Sequence, residues 1–131
     1  MPTVEHVTAW AEAYRVAWEN ADSAAAASLF AGEASYRSNI YEAPHEGHAG
    51  IQAYWTEVTS SQSDLTVRMG YPLVDGERAN VEFWTTVTIE GAPVTLAGSL
   101  LLRFDGELCA DLREYWNFVD GVHQPPPGWG R

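Results

Sequence analysis

Apolar side chains at Val4, Val7, Ala11, Tyr14 and Trp18, with Trp10 beside them, recur at three- and four-residue intervals and so fall on one face of a helix. Thr3 can cap that helix and Glu5 lies in its first turn, which predicts a helix over about 3–20. Asp22 can cap a second, alanine-rich helix over 22–31, whose Leu29 and Phe30 turn inward before Gly32 ends it. The period then drops to two. Ala34, Tyr36 and Ser38 alternate with Ser35, Arg37 and Asn39, a strand over 33–39 that stops before a loop containing Pro44. After Gly50 the helical spacing returns with Ile51, Trp55 and Val58, giving a third helix over 48–60.

From Asp64 onward alternation dominates. A strand over 64–74 turns Leu65, Val67 and Met69 one way, and a second over 77–90 turns Val81, Phe83, Thr85 and Val87 inward. A third, over 94–104, buries Leu96, Gly98, Leu100 and Leu102. The last, over 107–119, directs Leu108, Ala110, Leu112, Glu114, Trp116 and Phe118 inward and Cys109 outward. Residues paired across antiparallel strands share a face, so the turns must agree with these assignments. Pairing Ile89 with Val94 leaves a four-residue Glu90-Gly91-Ala92-Pro93 loop. A three-residue loop with a bulge at Asp105-Gly106 pairs Arg103 with Glu107 and sets Glu114 opposite Leu96. Gln124-Pro125-Pro126-Pro127-Gly128 cannot continue a ladder, so 120–131 is expected to be an extended tail.

At 131 residues and 46% hydrophobic the chain suits one domain, 1–131, around one core. Eighteen acids against seven bases give a net charge of -11, and every base is Arg. Lysine Schiff-base chemistry is excluded, and neither nucleic acid nor an anionic membrane is an expected partner, since both require a basic footprint. The lone Cys109 can form no internal disulfide and no apolar run approaches membrane-spanning length, so a cytoplasmic location is expected. His45 and His48, with Glu46 between them, sit in a Gly/Pro loop, and no further ligand is evident in sequence. No metal and no cofactor is expected.

Helices over a curved, mostly antiparallel sheet make an α+β cone. The chain resembles the nuclear transport factor 2-like superfamily, and within it the SnoaL-like and ketosteroid-isomerase-like proteins. The resemblance rests on Tyr14, on Ala27-Ser28-Leu29-Phe30-Ala31-Gly32, on Pro44, Gly47, Gly50-Ile51 and Tyr54-Trp55, and on Leu102-Arg103-Phe104 with Arg113-Glu114-Tyr115-Trp116. It implies a cone-shaped fold with three N-terminal helices and, by analogy with the isomerases, a hydrogen bond from Tyr14 to a developing oxyanion. The isomerases' base would fall at Ser38 and their second acid near Leu100. Neither residue can shuttle a proton at neutral pH, so steroid isomerisation is not expected.

Glu114 is the strongest chemical candidate, because a carboxyl flanked by Leu112 and Trp116 is desolvated and its pKa should rise. By resemblance, polyketide cyclases and epoxide hydrolases of the superfamily use pocket acids on the late strands. Trp18, Tyr36, Ser38, Trp55, Phe83, Thr85, Leu100 and Trp116 are the expected lining for a small, apolar or aromatic molecule. Two readings follow: a binding module without assigned chemistry, and a small acid/base enzyme of cyclase, isomerase or epoxide-hydrolase type using Glu114 and Tyr14.

The outer sheet face carries Trp84, Leu101 and Tyr115 among Thr86, Thr95, Ala97 and Ser99, an apolar patch of the kind that a two-fold axis buries. A homodimer through this face is therefore expected. Sedimentation at micromolar concentration should show it strengthening with moderate salt and splitting on Trp84→Glu, whereas a single species near 14 kDa at both salts would contradict it.

Overall fold

A computed structural model describes residues 1–131. Three helices, α1 (Val4–Glu19), α2 (Ser23–Ser28) and α3 (Gly47–Thr59), pack on one sheet of seven strands. These are β1 (Phe30–Arg37), β2 (His45–Glu46), β3 (Gln62–Met69), β4 (Leu73–Asp75), β5 (Arg78–Ile89), β6 (Ala92–Asp105) and β7 (Leu108–Asp120). The order is β2-β1-β7-β6-β5-β3, with β4 also on β5. No helix is long and apolar enough to cross a membrane.

The hydroxyl of Thr3 accepts from the His6 amide at 3.0 Å and starts α1, which buries Val7, Trp10, Ala11, Tyr14, Ala17 and Trp18. Asp22 caps α2 in the same way through Ala25. That helix is shorter than its alanine content suggests, because Phe30 is already paired with Cys109 in the sheet. Two further features shape the molecule. The sheet is mixed, since β1 runs parallel to β7 while the other pairings are antiparallel. And α3 follows β1 and β2, so only two helices precede the sheet. The short β2, expected as loop, pairs Ser35 with Glu46 and Tyr36 with His45.

The turns are tighter than the hydrophobic pattern alone specifies. Ile89 pairs with Ala92 across a two-residue Glu90-Gly91 turn, not with Val94. Gly91 takes φ +80°, which a glycine adopts without strain. At the next hairpin Asp105 pairs with Leu108, and the extra residue sits inside β7 between Cys109 and Asp111. This bulge reverses the alternation at the start of the strand. Cys109 is therefore fully buried and Leu108 is exposed, the opposite of the simple period-two reading. Beyond it Leu102 pairs with Leu112 and Leu100 with Glu114, so Glu114 faces inward opposite Leu100 and not Leu96. The expected single strand over 64–74 breaks at Gly70-Tyr71-Pro72 into β3 and β4.

The tail does more than leave the ladder. Thr95 donates to the Gly121 carbonyl at 2.7 Å, the Trp84 indole donates to the His123 carbonyl at 2.9 Å, and the Gly130 amide reaches the Glu82 carboxyl at 3.1 Å. Trp129 lies edge-on to Trp84 with Arg68 over its ring. The chain thus covers part of the outer sheet face that the sequence alone leaves bare, burying Thr95 to 2% exposure.

Gly98 stands where β6 has no room for a side chain. A Cβ there would strike the Tyr115 carbonyl oxygen and stand 2.9 Å from both the Phe83 ring and the Trp116 Cα. The strands can hug at this point because no side chain intervenes. Gly98→Ala should cost about 2–3 kcal/mol and lower Tm by about 10 °C, whereas Gly32→Ala, which meets no atom within 4 Å, should leave Tm within about 2 °C by calorimetry.

Candidate functional site

The buried faces of the helices and the sheet meet in an aromatic core that opens into a cavity of ≈ 270 Å³. Trp18 comes from α1; Tyr36 comes from β1, and Ser38, Asn39 and Glu42 from the loop behind it. From α3 come Tyr54, Trp55 and Val58, and from the far strands Gln62, Ile89, Leu96, Glu114 and Trp116. Three of the rings stand nearly perpendicular to Trp55, while Tyr36 and Tyr54 tilt 40° to each other. Trp18 meets Trp55 at 74°, Tyr54 meets Trp55 at 78° and Tyr36 meets Trp55 at 71°, with centroids 5.8 to 6.2 Å apart. Such edge-to-face contacts turn flat rings into the walls of a box.

Most polar tips of the wall are already engaged. The Trp18 indole donates to Gln62 at 3.0 Å and the Trp116 indole donates to the Ser38 carbonyl at 2.6 Å, which ties the loop after β1 to the end of β7. Arg37 holds the same loop through the Glu42 carbonyl at 2.7 Å. The Trp55 indole nitrogen is buried without a partner.

Glu114 has no cation beside it. Its carboxylate accepts from the Tyr36 hydroxyl at 3.1 Å, and that hydroxyl lies 3.1 Å from the hydroxyl of Tyr14. Because Tyr36 donates to the acid, its own oxygen is left to accept from Tyr14, so the protons run in one direction from Tyr14 to Tyr36 to Glu114. Burial raises the Glu114 pKa to about 7, and the Tyr36 bond only partly offsets that rise. Burial holds the hydroxyls of Tyr14 and Tyr36 well above the ordinary tyrosine range, with the neighbouring Glu114 charge adding to the rise. Both stay protonated donors at any working pH.

Of the residues named from sequence, Trp18, Tyr36, Ser38, Trp55, Trp116 and Glu114 come together on the cavity wall. Four do not. Tyr14 is 1% exposed and lies behind Tyr36, so it reaches the cavity only through that hydroxyl. Leu100 is buried opposite Glu114, Phe83 is spent on Gly98 and Trp18, and Thr85 is fully buried with its hydroxyl unpartnered. They form the floor beneath the wall. Period two sends all three inward, but it cannot tell the floor from the wall. Tyr54 and Glu42 were missed as lining residues. Tyr54 stands at the i+3 position from Ile51, on the same stripe as Trp55 and Val58, so helical spacing could have found it, whereas Glu42 belongs to a loop with no period to betray it.

The His48 Nε2 donates to the Phe30 carbonyl at 2.6 Å, and His45 stacks on Tyr54 with centroids 4.4 Å apart. No three His, Cys, Asp or Glu side chains converge. Burial pushes the Cys109 thiol up to about 12, which leaves it unreactive.

Residues 10–112 match the family model of the SnoaL-like domain. No curated protein matches the chain in sequence. Among solved structures, a hypothetical protein of Catenulispora acidiphila with a ketosteroid isomerase-like fold, in complex with trimethylamine, is 22% identical over 81% of this chain and 83% of its own, with TM-score 0.74. The epoxide hydrolase/cyclase-like enzyme SalBIII, of pyran ring formation in the polyether salinomycin, is 16% identical over 89% of this chain and 96% of its own, with TM-score 0.76. A Mycobacterium tuberculosis LEH-like epoxide hydrolase is 16% identical over 88% and 86%, with TM-score 0.73. At these identities the likeness is one of fold.

The raised Glu114 pKa has a thermodynamic consequence. In the unfolded chain this acid ionises near 4.5, in the native one near 7, so between those values the native state holds the extra proton. Its contribution to stability therefore falls as pH rises from about 4.5 to 7, and the loss is complete above 7. Glu114→Gln carries no such charge. By thermal denaturation it should match the parent near pH 4.5 and exceed it at pH 8.5 by on the order of 2 kcal/mol. A variant less stable than the parent at pH 8.5 would contradict the desolvated acid.

Proposed function

This chain belongs to the SnoaL-like domain family, within the nuclear transport factor 2-like superfamily, and from that premise we propose that it binds a small, largely apolar molecule in the aromatic cavity, with Glu114 as the group that exchanges a proton with it. The observation that carries this reading is the carboxyl of Glu114, unpaired by any cation and held near neutrality on the wall of a cavity that is rich in aromatic rings. A carboxyl poised near pH 7 is present both as base and as acid under ordinary conditions. The trimethylamine held by the Catenulispora protein and the epoxide-hydrolase and cyclase descriptions of the other two neighbours support a small-molecule site on this fold.

In this reading the ionised Glu114 takes a proton from a carbon acid or from a water set against the ligand, and can return it from the other side of the step. Tyr36 orients the carboxylate by donating to one oxygen, which leaves the second free toward the cavity. Tyr14 is a positioning residue: its bond to Tyr36 fixes the direction in which that hydroxyl points. Ser38 contributes its backbone carbonyl, which accepts from the Trp116 indole and fixes that ring on the wall. Ser38 and Leu100 supply no second acid beside Glu114, and the other lining carboxyl, Glu42, is exposed on the loop after β1, so the proton exchange is assigned to Glu114.

Exchange of solvent deuterium into 2-tetralone, a flat enolisable ketone, tests the reading. The parent should catalyse it with a rate that rises through about pH 7, and Glu114→Gln should lower that rate at least about a hundredfold while quenching of tryptophan fluorescence by the ketone persists. Equal exchange by the variant would remove Glu114 from the chemistry, and absence of quenching in both would remove the pocket.

A further inference from the structure

We infer that the molecule this cavity is built for carries a cationic nitrogen, a small quaternary or tertiary ammonium on an apolar body, which the box of rings and Glu114 hold together. The inference rests on the binding reading above and narrows its ligand.

Three observations converge on it. First, the cavity is walled by five aromatic residues, Trp18, Tyr36, Tyr54, Trp55 and Trp116, several meeting nearly at right angles. Ring faces are negative, and a box of them is the arrangement that attracts an alkylammonium better than a neutral group of the same shape. Second, of the thirteen lining residues none is Arg or His, while two, Glu42 and Glu114, are acids. For a neutral ligand the half-buried Glu114 carboxyl is a desolvation cost, and an anionic ligand is repelled by it and by the exposed Glu42. A cation alone turns that cost into attraction. Third, the volume of ≈ 270 Å³ is at the small end for ligand cavities, which suits a compact ammonium and not a large polycyclic body. The net charge of -11 draws cations toward the protein at long range.

The groups that face Glu114 are Tyr36 from β1, Tyr14 behind it from α1, and Tyr54 from α3, which feels the charge both of Glu114 and of Glu42 in the loop after β1. β6 presents Leu100 opposite it and Leu96 on the wall. His45 stacks on Tyr54, and Arg37 is engaged with the Glu42 carbonyl. None of these supplies a counter-charge to the carboxylate, so the bound ammonium does. A cation in the box holds Glu114 in its ionised, proton-accepting form.

The test compares benzyltrimethylammonium with its neutral carbon isostere, neopentylbenzene, by quenching of tryptophan fluorescence. The quaternary nitrogen cannot titrate, so any pH dependence belongs to the protein. At pH 8.5 the cation should bind the parent about tenfold tighter than the isostere, and its affinity should fall about tenfold at pH 5.5, while that of the isostere stays constant. Glu114→Gln should abolish the pH dependence and most of the preference, and Glu42→Gln, at the loop, should reduce the preference less. A cation bound no tighter than the isostere at pH 8.5, with the isostere still bound, would overturn the inference and leave the pocket standing. A preference indifferent to both pH and Glu114→Gln would overturn it also. Binding of neither probe would take the pocket reading down with it.

Discussion

A carboxyl turned inward without a counter-ion is the constraint around which this molecule is arranged. Glu114 sits at the middle of β7, in register with the fully buried Leu100, in a position that an apolar side chain would fill at no electrostatic cost. Burying an acid there is tolerated in two ways: the group is kept partly protonated, and its ionised form is given a donor in Tyr36. The donor in turn needs a fixed direction, which Tyr14 provides from α1. Helix, first strand and last strand are thereby joined by two hydrogen bonds through one polar line in an otherwise apolar core. That line costs stability at neutral pH, and a cost retained inside a core is the physical reason to assign it a task.

The scaffold serves this line by creating room on one side of it only. Gly98 lets the sheet close against Phe83 and Tyr115, so the floor beneath Glu114 is solid. The parallel pairing of β1 with β7 brings Tyr36 next to Leu112 and within reach of Glu114, which a purely antiparallel meander would not do. The other side is held open by rings that meet edge to face, stiff enough to keep a cavity without filling it. The tail works on the opposite face of the sheet, where Trp129 and the Gly121 to His123 stretch cover Trp84 and Thr95.

Much of this was legible in the sequence, and the illegible parts have identifiable causes. Period 3.6 in α1 and α3 and period two in β5 and β6 specify which faces are buried, and hydrophobic burial enforces them. The inward direction of Glu114 followed from the same alternation because it is anchored by Leu112. Cys109 was assigned to the wrong face, since a one-residue bulge leaves composition unchanged and shifts parity before Asp111. Register slipped by two residues at the β5–β6 hairpin and, beyond the bulge, by four between β6 and β7, which alternation alone cannot detect because an even slip keeps every face. The distinction between Trp55 on the cavity wall and Phe83 on the floor depends on a glycine one strand away. Tyr14 resembles an oxyanion donor by position, yet its reach to the cavity is blocked by Tyr36, a tertiary fact.

The account stands on the ionisation of one side chain. Carbon NMR of the Glu114 carboxyl, assigned by its loss in Glu114→Gln and followed across pH in the unliganded protein, measures it directly. The structure predicts a midpoint near 7, with the Tyr36 ring resonances titrating alongside. A midpoint at the ordinary glutamate value of about 4.3 would contradict it, because the carboxyl would then be solvated or paired and neither the proton exchange nor the cation preference would have a source.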